Sequence, residues 1–292
     1  MNITGARILS HLLDPKLFYP HSRNPNQTLW LSFSPQRSGQ HLIISWLCTG
    51  IGNVLHFNHC RFFLSRFRLE LQPLTGRRLL YQNEQATDDS GIQGRNKLQQ
   101  SLKSIESVSD ILYSMEDLSP EAQPFDALIE QNPAKQIIIL RDPCNWIASS
   151  IKHGKSSKSK LESKIQLYKS LLRLALKSPE SSNLTFINYQ QFVANPEYRK
   201  KIANRLQLSY FEAAEETLSE TPDFGGGSSF QNEIHTVEAL FSRWKSFKND
   251  PLFLEMIRDE ELWELSENFF GAFPGMLELR YQTDSPHPKS IS

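Results

Sequence analysis

The sequence is poor in the features that usually assign a chain quickly. Cysteine is scarce: only Cys48, Cys60 and Cys144 occur in 292 residues. An odd, widely spaced trio makes neither a disulfide framework nor a zinc-ligand pattern, and it suits a reducing compartment. Net charge is missing as well, since 32 Lys and Arg face 32 Asp and Glu. That balance argues against a generally basic body that grips nucleic acid, while leaving room for a local anion pocket. Long apolar runs are absent. Stretches such as Leu42–Leu47 fall far short of the ~20 residues a spanning helix needs, so no membrane span is expected. Met1–Arg7 shows no basic stretch followed by an apolar one. No signal peptide is therefore expected, and the expected location is cytoplasmic.

What is present is an alternation of strand-like and helix-like segments. Leu29–Phe33 reads as a buried strand, Ser34–Gly39 as a turn, and His41–Trp46 as the opening of a helix. Val54–Phe57 and Asp110–Met115 are further strand candidates, and Phe125–Glu130 reads as a helix ended by Asn132-Pro133. Gln136–Leu140 carries Ile-Ile-Ile-Leu, apolar on both faces, as a central parallel strand requires. Helical patterns resume at Trp146–Ile151 and Ile165–Leu176, with the Lys/Ser-rich stretch 152–164 between them read as a loop. Leu184–Asn188 is a strand, followed by a helix through Arg199–Leu206. Glu238–Phe247 and Leu252–Phe269 read as two helices, and 84–100 and 224–230 as loops. The expectation is one α/β domain over residues 1–281, a central parallel sheet flanked by helices, with 282–292 a disordered tail. Ligands in such sheets bind at the carboxyl ends of the strands.

Two of those strand ends carry anion chemistry. Ser34-Pro-Gln-Arg-Ser-Gly-Gln-His41 joins a strand to a helix. Its amides and the helix N-terminus offer partial positive charge, Arg37 a fixed cation, Ser38 a hydroxyl, and Gly39 close backbone approach. The Gly-x-x-x-x-Gly-Lys-Ser/Thr of a Walker loop is not there. The competing reading is an ordinary strand–helix turn with a surface Arg. The second site is Arg141 after the strongest strand, with Ser149 on the returning helix. A guanidinium plus a hydroxyl suits a phosphate monoester. The competing reading there is a local Arg141–Asp142 ion pair.

Arg-Asp-Pro followed by Ser149, after an Ile-Ile-Ile-Leu strand, resembles the 3′-phosphate motif of sulfotransferases that use the donor PAPS. Pro-Gln-Arg-Ser-Gly-Gln-His is similar to that family's 5′-phosphosulfate loop. Ile187-Asn-Tyr-Gln-Gln-Phe192, with Asn195-Pro-Glu after it, is similar to its Tyr-Glu-Asp-Leu segment. The resemblance spans about residues 29–210 and implies a P-loop nucleoside-triphosphate-hydrolase-like sulfotransferase fold. It implies that Arg37, Ser38, Gly39, Gln40 and His41 hold the 5′-phosphosulfate, that Arg141 and Ser149 hold the 3′-phosphate, and that Tyr189 positions the adenosine. Ser229, Phe230 and Arg243 resemble the part of the family that closes over the nucleotide, although the usual Arg-Lys-Gly is not visible there. The implied chemistry is sulfuryl transfer from PAPS, without metal, to a hydroxyl or amine of a small-molecule, lipid or carbohydrate acceptor, leaving PAP. Arg37 stands where the family commonly has Lys. It cannot act as an acid, so its role would be electrostatic. His41 either donates to the phosphosulfate or faces the neighbouring loop.

Transfer needs a base for the acceptor proton. Glu116, at a strand end, ranks first, then His59, then His56, with His153 also in range of the second motif. Two other readings stand beside the enzyme: a PAPS/PAP-binding protein without catalysis, and a P-loop-type kinase. Segments 84–106, 152–164 and 224–230 are expected to frame the acceptor pocket. Lys152, Lys155, Lys158 and Lys160 read as a solvated charge run; the alternative is that they draw an anionic acceptor.

Overall fold

A computed structural model describes residues 28–57, 60–65, 68–73, 79–81, 84–85, 109–121, 134–153, 157–178, 183–219, 237–273 and 275–283. The candidates His59, Ser229 and Phe230, the helix expected at Phe125–Glu130, the loops 86–100 and 224–230, Lys155 and the tail 284–292 lie outside them.

Five parallel strands form the centre of the fold: β1 (Thr28–Ser34), β2 (Val54–Phe57), β7 (Asp110–Glu116), β8 (Ala134–Leu140) and β9 (Leu184–Asn188). Their order in space is β2-β7-β1-β8-β9. Two short strands, β5 (Leu79–Tyr81) and β6 (Glu84–Gln85), extend the β2 edge in antiparallel fashion. Strands β3 (Cys60–Ser65) and β4 (Arg68–Pro73) form a separate antiparallel hairpin. Strand β1 sits between β7 and β8, and the chain leaves it in one direction first and returns to the other later. That reversal opens a crevice at the strands' carboxyl ends.

Side-chain alternation divides the core in two. Leu29, Leu31 and Phe33 of β1, with Ile138 and Leu140 of β8, face one layer. It contains α2 (Pro143–Lys152), α3 (Lys158–Lys177), α8 (Pro251–Ile257), α9 (Glu260–Phe270) and α10 (Met276–Thr283). Trp30 of β1, with Ile137 and Ile139 of β8, faces α1 (Gln40–Ile51), α4 (Tyr189–Ala194), α5 (Pro196–Leu206) and α6 (Phe211–Glu216). Trp146 stacks on Tyr168 at 4.5 Å in the first layer, and Trp46 meets Phe192 edge-on at 5.1 Å in the second. Such pairs add about 0.5–1.5 kcal/mol beyond their burial.

Four expectations are corrected. The Lys/Ser-rich stretch is helix from Lys158 onward, because Leu161, Ile165, Tyr168 and Leu172 continue one buried stripe through it. Glu84–Gln85 is strand rather than loop, because it pairs with Leu80–Tyr81. The helix expected over 238–247 divides into α7 (Val237–Phe241) and a 3₁₀ turn, Arg243–Phe247. The one expected over 252–269 divides into α8 and α9, because the Asp259 carboxylate accepts from the Leu262 amide at 3.0 Å and starts a new helix. Helix α10 runs to Thr283, two residues past Tyr281.

Candidate active site

The loop after β1 takes its shape from two residues with positive φ, Arg37 at 77° and Gly39 at 80°. Gly39 caps α1 in the left-handed region without a side chain. A Cβ there would stand 2.2 Å from the Tyr189 ring, so both conformation and space demand glycine. Arg37, with a side chain, holds the same region at a cost of about 1–3 kcal/mol. The neighbouring structure fixes it. The Trp146 indole donates to the Gln36 carbonyl at 2.9 Å. The Gln36 amide donates to Asp117 Oδ1 at 2.9 Å, and Lys164 Nζ bridges Asp117 at 2.8 Å and Gln36 Oε1 at 2.9 Å. The Ser38 hydroxyl donates to the Pro35 carbonyl at 2.7 Å, closing the turn on itself.

Arg37 leaves this frame half-buried, and its Nη2 donates to Nδ1 of His153, the residue that ends α2. Burial lowers the guanidinium's pKa from its usual value, and the nearby Glu116 charge opposes that. Glu116 ends β7, is 4% exposed, and accepts from Gln40 Nε2 at 2.5 Å. Gln40 Oε1 in turn accepts from the Ser34 hydroxyl. The Gln40 side chain therefore turns toward the sheet and Glu116. His41 is half-buried in the first turn of α1. His56 is fully buried on β2, where its Nε2 lies 2.9 Å from Ser114 Oγ. Glu116, and not His56, opens onto the cavity beside the loop.

That cavity measures about 800 Å³. Arg37, Glu116, Asp117 and His153 line it, together with residues from the first half of α3.

The second anion element lies on the far side of β1. Arg141 is 2% exposed and its guanidinium lies 5.3 Å from the centre of the Tyr189 ring. Its Nη2 donates to the Leu240 carbonyl at 2.9 Å, and its Nε is buried without a partner among the described residues. Asp142, which the sequence offered as an ion-pair partner, caps α2, accepting from the Asn145 amide at 2.8 Å and from Gln190 Nε2. Burial pushes the Asp142 carboxyl up, against the pull of Arg141 and the Asn145 donors. Asn145 ties α2 to the segment above it, donating to the Phe241 carbonyl at 2.9 Å and accepting from the Trp244 amide at 3.2 Å. Ser149 is buried on α2, and Arg243 is 9% exposed in the 3₁₀ turn. The Tyr189 ring thus lies against Gly39, with its centre 5.3 Å from the Arg141 guanidinium, bringing the three sequence segments together.

Reading the sequence did not find the Asp117–Lys164–Gln36 brace or the Arg37–His153 contact. A signal existed for Asp117: it follows a strand directly and has φ 57°, a conformation that Asp tolerates better than most residues.

Among the described residues, no helix is long and apolar enough to cross a membrane. No family profile and no curated protein sequence matches the chain. Among solved structures, the sulfotransferase domain of the olefin synthase from Synechococcus PCC 7002 superposes with a TM-score of 0.50. It is 17% identical, and the match covers 86% of this chain and 97% of that one. Mouse sulfotransferase SULT7A1, solved in complex with PAP, gives a TM-score of 0.46 at 14% identity, over 93% and 95% of the two chains. At these identities the likeness is one of fold: the chain is structurally similar to sulfotransferase-fold proteins.

Proposed function

We propose that the protein is a PAPS-dependent sulfotransferase. The observation that carries this reading is that the Tyr189 ring lies close to both Gly39 and Arg141. It joins two anion-binding elements at the carboxyl ends of adjacent strands, as a nucleotide with phosphate groups at both ends of its sugar requires. Two buried nitrogens, Arg37 Nε and Arg141 Nε, have no partner among the described residues. Such donors fit anionic oxygens, because leaving them unpaired in the interior is unfavourable.

In this reading the Arg37 guanidinium, the loop backbone at Ser38, Gly39 and Gln40, and His41 hold the 5′-phosphosulfate. Arg141 and Ser149 take the 3′-phosphate, with Arg243 above them and Tyr189 beside the adenosine. PAPS supplies the sulfuryl group. Glu116 accepts the proton of the acceptor hydroxyl or amine as a new bond to sulfur forms. Arg37 stabilises the charge left on the phosphate oxygen as the old sulfur–oxygen bond breaks. Gln40, donating to Glu116 Oε1, fixes the carboxylate at the end of β7. His153 holds Arg37 on the same side.

Two measurements test the proposal. Calorimetry should detect PAP binding that Arg141→Ala weakens by roughly 10- to 100-fold, the range for charge-assisted hydrogen bonds. Labelled sulfate from PAPS should pass to at least one member of an acceptor panel. PAP binding without transfer would leave a nucleotide-binding protein, and preference for ATP with Mg²⁺ would replace the proposal with a kinase.

A further inference from the structure

The wall of the cavity facing the anion loop has a chemistry that donor binding does not explain. Ser159, Lys160, Ser163, Lys164 and Leu167 of α3 line it, and Leu118 adds an apolar edge from the end of β7. The two acids of the cavity are engaged: Glu116 accepts from Gln40, and Asp117 takes Lys164 and the Gln36 amide. Arg37 contacts His153. Lys160 makes no hydrogen bond or ion pair among the described residues. The wall therefore carries a positive charge that nothing in the described structure offsets.

The polarity of α3 points the same way. The helix starts Lys158-Ser159-Lys160 with no acid in its first turn. Helix N-termini carry partial positive charge, so each exposed cation there costs about 0.3–1 kcal/mol. Lys160 and Lys164 also stand one turn apart on the same face, an arrangement unfavourable by a few tenths of a kcal/mol. Lys158 is relieved by Glu255, and Lys164 by Asp117. Lys160 has no such relief, and it is the one that borders the cavity unpaired. A residue that opposes its own helix beside a cavity is the local conflict expected where a site, rather than the fold, dictates the side chain. Lys152, Lys158 and Lys160 are all exposed, and of these three Lys160 is the one that lines the cavity.

We infer that the acceptor of this site is an alcohol bearing an anionic group, of the hydroxycarboxylate class. Its apolar body rests on Leu118 and Leu167, its hydroxyl meets Glu116, and its carboxylate is received by Lys160. The inference rests on the sulfuryl-transfer reading for the role of the hydroxyl, and on the cavity alone for the carboxylate.

Binding separates the two. The full chain is titrated by calorimetry with 10-hydroxydecanoate and with decane-1,10-diol, which differ only in the anionic end. Wild type should bind the carboxylate at least roughly 10-fold tighter, the lower bound for a charge-assisted hydrogen bond. Lys160→Met should abolish that preference, and Lys160→Glu should reverse it. An acid at this position suits the start of a helix, so folding is not at risk. Equal affinities in wild type, no binding of either probe, or a preference that survives Lys160→Met overturns the inference. A PAP titration of the same samples reports on the donor reading independently. Loss of PAP binding with the carboxylate preference intact sinks only that reading, and the converse result sinks only this inference.

Discussion

The two candidate anion elements that approach Tyr189 are built in opposite ways. Arg141 is 2% exposed, stacked near an aromatic ring and roofed by the Leu240 carbonyl. Its neighbour Asp142 is spent on capping α2, and Asn145 clamps the segment above. Arg37 instead stands half-buried at the rim of the cavity, in a conformation that costs energy, held by a contact with exposed His153. A buried guanidinium held by one carbonyl beside an aromatic ring, with Nε still unpartnered among the described residues, is suited to holding a group that does not change. One on a strained loop beside a carboxylate is suited to a group whose charge shifts during reaction. Under the proposed function, the first element would retain the donor and the second would take part in the transfer.

The largest effect should come from the chemical side. Glu116→Gln is expected to lower turnover by roughly 10²- to 10⁴-fold, the range for losing a general base, while PAP affinity stays within about twofold. An equal loss in both would break the division between holding and reacting. Gly39→Ala comes next, since it strikes the contact both elements share. The left-handed backbone alone costs about 1–3 kcal/mol, and the clash with Tyr189 adds to it. Urea unfolding should show a lowered midpoint and calorimetry a loss of PAP binding. Arg141→Lys should weaken PAP by roughly 10-fold or more, because a point charge cannot reproduce the guanidinium fork; turnover at saturating donor should change little. His153→Ala should have the smallest effect, a drop of no more than about fivefold in turnover, as befits a contact at an exposed rim. His153→Gln, which keeps an acceptor for Arg37, should restore it. A kinetic loss confined to KM for the donor would move His153 to the holding side.

How much of this was legible follows from how local each feature is. The units β1–loop–α1, β8–Arg141–α2 and β9–Tyr189 announce themselves because each is an apolar run ended by a polar turn. The helical stretch Lys158–Lys164 was hidden by its composition, although Leu161 and Ile165 already continue the stripe of the following residues. Strand β4, Arg68-Leu-Glu-Leu-Gln-Pro73, alternates cleanly and was overlooked beside the stronger central runs. The contacts that finish the site were not legible, because they join elements far apart in the chain. Arg37 meets His153, and Gln40 meets Glu116, only once three strands lie in order. No spacing rule encodes the direction in which a side chain leaves a strand end.

The Tyr189 ring over Gly39 also sets a schedule. The anion loop lies near the beginning of the described chain, and the aromatic surface it rests on is synthesised much later, after β9. A nascent chain that has emerged only through α3 holds β1, β7 and β8 and can form most of the central sheet, yet its loop has no ring to press against. The packing of the loop is therefore completed late in translation, once β9 and α4 have followed. If the proposed function holds, a chain truncated before β9 should be inert rather than partly active.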